Sequence, residues 1–148
     1  MSNTDTPNGD AVPSFQDWNA KIIEEFRANE GVVGGQFKGA PILLLHTTGA
    51  KSSLERINPM MYLNLDERIY VFASKAGADT DPDWFRNLVA TPRVSVERAT
   101  EIYEATAKVV AEPERQQIYA VQARRYPGFA EYQTKTSRVI PVVELSRS

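Results

Sequence analysis

The stretch PILLLHTTGAKSSLERINPMMYLNLDERIYVFAS (residues 41–74) decides the fold. Its apolar residues come in short runs separated by turn chemistry, which is the pattern of consecutive strands rather than of helices. PILLLHTT reads as one strand, RINPMMYLNL as a second and RIYVFAS as a third, with Asp66 and Glu67 forming a tight turn between the last two. The connection between the first two strands is different in kind. It gathers Lys51, Ser52, Ser53 and Arg56 at the tip of a hairpin. A solvated hairpin and the mouth of an anion site both fit that composition.

Downstream, KAGADTD is a loop of small residues, and PDWFRNLVA follows it as a helix that Asp81 is expected to cap, with Pro82 in the first turn and Pro92 after its end. RVSVE and EIYEATAKVVAE form another hairpin. PERQQIYAVQARRY is a helix with Pro113 at its start, Pro127 opens the short segment PGFAEYQTKT, and RVIPVVEL is a last strand. Upstream, SFQDWNAKIIEEFRANEG places Phe15, Trp18, Ile22 and Phe26 at helical spacing, with Ser14 and Asp17 as a capping pair and Gly31 as the stop. Residues 1–13 are rich in Asn, Thr, Asp, Pro and Gly and read as a tail before a single domain over residues 14–148. The sum is an α+β, mainly β chain of about six antiparallel strands with three or four helices. Hairpins in series without βαβ alternation argue against a Rossmann fold and fit best a small antiparallel barrel with helices outside it.

At 148 residues and 42% hydrophobic content, the chain can bury a proper core. A net charge of −2 provides no basic field for nucleic acid. The absence of cysteine removes disulfides, thiolate catalysis and Cys-ligated metals, and one histidine is too few for a multi-His metal site, so no metal is expected. No apolar run approaches a membrane span, and no secretion signal is visible, which makes the cytoplasm the default compartment.

Several short motifs carry chemistry. GAKSS lacks the spacing of a phosphate-binding P-loop, but its backbone N–H groups together with Lys51 and Arg56 suit a phosphate or carboxylate. His46, at the end of an apolar strand, reads as a hydrogen-bonded core residue, and no serine–carboxylate triad accompanies it. SKAGA (residues 74–78) is small enough for backbone to approach a flat ligand, or is simply a loop. Trp84 and Asn87 share a helix face, either as core or as part of a ring-binding site. Tyr126, Phe129 and Tyr132 recur at spacings of three, as packing or as a substrate wall whose phenols can donate a proton.

Taken in order, T-T-G-x-K-S, N-P, A-S-K-x-G, P-x-W-x-x-N-L, Y-P-x-x-x-x-Y-Q and I-P-V-V form an ordered set over roughly residues 36–145. That set resembles the deazaflavin-dependent nitroreductase and F420H2-dependent quinone reductase family, small actinobacterial proteins with the split β-barrel, FMN-binding-like fold. The resemblance implies coenzyme F420, an 8-hydroxy-5-deazaflavin with a phosphate and a polyglutamate tail. It places Lys51, Ser52 and Arg56 on the anionic tail. Asn58, Pro59, Met60, Met61, Ala73, Ser74, Lys75, Ala76 and Gly77 would line the deazaflavin, with Trp84 and Asn87 completing the pocket. Ala50 stands where family members often carry a further cation, and Phe129 and Met61 where a relative active on nitroimidazoles carries tyrosines.

The implied activity is hydride transfer from F420H2 to a quinone, a nitro compound or a similar electron-poor acceptor. Tyr132 and Tyr126 would act at the acceptor, Tyr132 as the proton or hydrogen-bond donor, and Trp18, Tyr126, Phe129 and Tyr132 would shape its site. The aromatic face of the N-terminal helix either covers that site or touches a membrane surface. FMN on the same barrel, and a non-catalytic protein that binds F420 or a flat lipophile, are the alternatives. Monomer and homodimer both remain open.

Overall fold

The computed structural model describes residues 15–37 and 39–148; the expected tail and the Ser14 cap lie outside these residues, and so do the side chains of residues 15–18, Trp18 among them, and of residue 36. Among the described residues, six strands close into an antiparallel barrel: β1 (Ile42–Thr48), β2 (Glu55–Leu65), β3 (Arg68–Phe72), β4 (Arg93–Arg98), β5 (Glu101–Val109) and β6 (Val142–Arg147). Their order around the barrel is β1-β2-β3-β6-β5-β4, and β4 closes it onto β1. Four helices surround or plug it: α1 (Phe15–Ala28), α2 (Asp83–Ala90), α3 (Glu114–Arg125) and α4 (Gly128–Thr134). This is the split-barrel, FMN-binding-like architecture.

The strand pattern explains the apolar run at residues 42–45, which is buried throughout. Leu43 and Leu45 point into the barrel with Val71, Val96 and Val143, while Ile42 and Leu44 point outward beneath Phe26 of α1. A second outer cluster, containing Tyr70, Phe72, Ile118, Tyr119 and Phe129, lies under α3 and α4. Asp66 and Glu67 both adopt positive φ, the turn that matches the twist of a two-residue hairpin. Trp84 and Leu88 of α2 insert into the barrel cluster, so this helix is a plug at the end where β1 and β2 meet their cationic turn.

Two local expectations change. Asp81 does not cap α2, which has no side-chain cap. Its carboxylate instead accepts a hydrogen bond from Arg138, and its carbonyl accepts one from Arg86. The last strand begins at Val142 and not at Arg138, because Arg138 turns aside to bond the loop after β3.

Candidate functional site

The site follows from unequal strand lengths. β2 has 11 residues and β3 only 5. Glu55–Met61 of β2 pair with β1, but β3 pairs only with Tyr62–Leu65. After Phe72 one further amide, that of Ala73, bonds to Pro141 before the chain leaves the sheet. The first half of β2 therefore has a neighbour on one side only. The Tyr62 N–H donates to Pro41 on the β1 side, so ladder alternation turns the backbone of Ile57, Pro59 and Met61 toward the open side. A proline belongs there, since its missing N–H costs no ladder bond.

Side chains along this edge are half-buried from Ile57 to Tyr62. Met60 and Tyr62 pack on the barrel interior. Ile57 packs outward under α1, and Met61 touches both outer clusters, so it sits at the seam between the α1 side and the α3–α4 side. Asn58 is half-buried, and its carboxamide bonds to none of the described residues.

One end of the edge is the cationic turn. The Gly49 N–H donates to the Leu54 carbonyl at 2.8 Å and the Ser53 N–H to the Gly49 carbonyl at 2.9 Å. A Cβ on Gly49 would lie 2.4 Å from Ser52 Oγ and 3.2 Å from the Leu54 oxygen, so a larger residue there would have to displace the Ser52 hydroxyl and press on the turn's backbone. Buried Asn87 ties it to α2, accepting from the Ala50 N–H at 3.0 Å and donating to Thr47 Oγ1 at 3.1 Å. Both ends of the Asn87 carboxamide are thus engaged within the protein. Lys51 and Arg56 are exposed, and neither has an ion-pair partner among the described residues.

The opposite wall is the loop after β3, with a short turn at Lys75–Gly77. Gly77 is buried at φ +84°, and a Cβ there would lie 2.9 Å from the Tyr132 carbonyl of α4. The Lys75 ammonium donates to Thr80 Oγ1. Four hydrogen bonds from the Arg138 guanidinium hold the loop: Nε to the Ala78 carbonyl, Nη1 to the Ala73 carbonyl and Asp81 Oδ1, and Nη2 to the Ser74 carbonyl, at 2.8–3.1 Å. Nothing local marks Arg138 for this role, because its partners lie 57 to 65 positions away in sequence.

Tyr126 and Tyr132 are half-buried against the outer cluster, and their hydroxyls bond to none of the described residues. Phe129, expected on the acceptor wall, is buried within that cluster. Its ring meets Phe72, Tyr119 and Tyr132 edge-on at centroid distances of 5.6, 6.4 and 5.2 Å, so it backs Tyr132 from inside. Tyr119 donates to the Phe129 carbonyl, and burial pushes its phenol up to about 12. Trp84 is likewise core. Two surface hollows are present among the described residues, the first beside the cationic turn. One of about 290 Å³ is bounded by Thr47, Ser53, Glu55 and Arg93. The other, of about 480 Å³, lies between the β2–β3 turn and α3.

Comparison with known proteins decides the lineage. Residues 18–146 match the model of the F420H(2)-dependent quinone reductase family. The chain belongs to that family. An F420H(2)-dependent quinone reductase of Mycobacterium tuberculosis is 37% identical over 129 residues, covering 82% of this chain and 85% of the relative. A solved F420-H2 dependent reductase, FDR-A, is 38% identical with a TM-score of 0.65, covering 72% of this chain and 94% of that one. A structure described as a domain-swapped dimer is 34% identical with a TM-score of 0.68, covering 90% and 100%.

As an F420H(2)-dependent quinone reductase family member, the protein is an oxidoreductase whose cofactor is coenzyme F420. The residues present fit that group. Two uncompensated cations stand at one end of an open, largely apolar strand edge, as an anionic tail beside a flat ring requires.

Proposed function

We propose that this oxidoreductase passes a hydride from F420H2 to a quinone, or to a comparably flat, electron-poor acceptor such as a nitroaromatic. The observation that carries this reading is the half-open edge of β2 running from the Lys51–Arg56 turn to the seam at Met61. When bound, coenzyme F420 supplies the hydride chemistry; the chain supplies position and environment.

In this reading Lys51 and Arg56 hold the phosphate and carboxylates of the tail, and the turn's Ser52 adds a hydroxyl. The open-side backbone of Ile57 and Met61 offers hydrogen bonds to the ring's polar edge, and Asn58 a carboxamide. Pro59, Met60 and Met61 supply the apolar face, and residues 73–77 close over it with little side-chain bulk. Trp84 and Asn87 serve this pocket indirectly, by seating α2 and the turn. Tyr132, whose hydroxyl bonds to none of the described residues and whose ring is backed by Phe129, delivers a proton or hydrogen bond to the acceptor, and Tyr126 shapes the same side. A quinone gains a hydride and a proton and leaves as the hydroquinone.

No described helix is long and apolar enough to cross a membrane. In this reading the acceptor comes from a cytoplasmic pool, and the described apolar residues of α1, Ile22, Ile23 and Phe26, pack on the barrel. The neighbour described as a domain-swapped dimer supports a homodimer as the assembly to test by sedimentation.

The deciding experiment is anaerobic mixing of F420H2 and menadione, followed by the return of absorbance near 420 nm with and without protein. Oxidation dependent on both protein and menadione is expected. Quenching of F420 fluorescence without turnover would instead favour a binding protein. Absence of both, with binding of FMN, would overturn the deazaflavin reading.

A further inference from the structure

The wall formed by residues 73–81 has little cohesion of its own. Its internal backbone bonds are those of the short turn, Gly77 to Ser74 and Ala78 to Lys75, and Lys75 and Ala76 both adopt positive φ without being glycine. Such a conformation persists only when its surroundings over-determine it. Here the surroundings are the packing of Gly77 on α4 and, on both flanks of the turn, the hydrogen bonds of one side chain. The Arg138 guanidinium, mostly buried, reaches three carbonyls on both flanks of the turn and the Asp81 carboxylate beyond it.

The same residue is fastened to the other wall. Its carbonyl accepts from Gln133 Nε2 at 2.8 Å, and Gln133 Oε1 accepts from the Ile140 N–H, so the segment carrying Arg138 is tied to α4 next to Tyr132. Gly77 in turn rests on the Tyr132 carbonyl. Arg138 therefore joins the loop wall to the tyrosine wall.

We propose that Arg138 is a positioning residue. It sets the separation of the 73–77 loop from α4, and hence the width of the slot in which a flat ring would lie. This rests on the cofactor site proposed above, and Arg138 itself acts through the loop. A planar fork with donors on three nitrogens can span these carbonyls at once. A lysine ammonium, a single point with the same charge, cannot.

Hydrogen exchange of the cofactor-free protein, read by mass spectrometry, tests the clamp directly, and an F420 fluorescence titration tests its consequence. In Arg138→Gln, peptides spanning residues 73–81 should lose protection while β1 and β5 peptides keep theirs, and F420 affinity should fall by about 10-fold or more. Arg138→Lys preserves charge and should recover only a minor part of both. Retained loop protection in Arg138→Gln would overturn the proposal. So would a loosened loop with F420 affinity within about 2-fold of the parent. Full recovery in Arg138→Lys would show that charge matters and not the fork, which also overturns it. Should Arg138→Gln fail to fold, Asp81→Ala removes one anchor of the guanidinium and should shift both readouts in the same direction by less; no shift in either would count against the clamp. Failure of the parent protein to bind F420 would instead sink the cofactor site, whatever the exchange data say of the loop.

Discussion

Lys51 and Asn87 both serve the β1–β2 turn, yet their removal should have opposite signatures. Lys51 and Arg56 are exposed and unpaired among the described residues, so truncating either takes nothing from the folded core. Lys51→Ala and Arg56→Ala should leave stability within about 0.5 kcal/mol of the parent and weaken F420 binding by about 5- to 50-fold each, the loss shrinking at high salt. Urea titrations alongside fluorescence titrations at two ionic strengths check this. Asn87→Ala leaves Thr47 Oγ1 and the Ala50 N–H without their buried partner, at a cost of about 1–3 kcal/mol in stability, visible in the same urea titrations. The sequence shows the first kind of residue plainly, because charge at a hairpin tip is a property of the residue type. It hides the second kind. Asn87 meets its partners across 37 and 40 positions, and Arg138 meets its own across more than 50, so only the closed fold reveals that both hold the site in shape. Phe129 is a related case: helical spacing groups it with Tyr126 and Tyr132, but does not say which of the three points inward.

Among the elements, β2 is the one whose reading was nearly complete from sequence and still lacked the decisive fact. Its apolar run is legible as a strand, and only the structure shows that its proline lies on an open edge. Its half-open side exists because β3 stops at Phe72, and nothing in RIYVFAS signals that stop, since Ala73 and Ser74 continue the apolar and small pattern. The loop that follows then has to turn sharply against α4, and Gly77 is where it does so. In Gly77→Ala the new Cβ would meet the Tyr132 carbonyl and Lys135 Cβ at 2.9 Å while holding φ at +84°. We expect a loss of about 1–3 kcal/mol and a loop lifted off α4. Cofactor affinity should fall with it, whereas an alanine at Gly128, whose Cβ would meet open space, should leave affinity unchanged. Thermal melts and F420 titrations of the two variants side by side check the contrast.

At the scale of the whole molecule, α1 is joined to the barrel across its β1–β4 seam by a charge network as well as by Phe26. Arg27 grips buried Glu97 of β4 with two hydrogen bonds, at 3.1 and 2.7 Å, and Glu97 also meets His46 Nε2 at 2.5 Å. Glu55 faces the other ring nitrogen of His46. The hydrogen bonds from Arg27 hold the Glu97 carboxyl below its ordinary value, against the opposing effect of burial, and His46 adds to them. A carboxylate with a depressed value in the folded state contributes stability that is fully present above its unfolded value of about 4.3 and is lost as pH falls through the folded value. Glu97→Gln should therefore destabilise by on the order of 1–2 kcal/mol at neutral pH, the half-exposed Arg27 being re-solvated by water. That difference should shrink below about pH 4, where the parent loses the same charge by protonation. Urea titrations of both proteins at pH 7, 5 and 3.5 measure it, and the other carboxylates cancel because both proteins carry them. A difference that grows between pH 5 and pH 3.5 would mean that burial holds Glu97 protonated, and that its charge does not fasten α1 to the barrel.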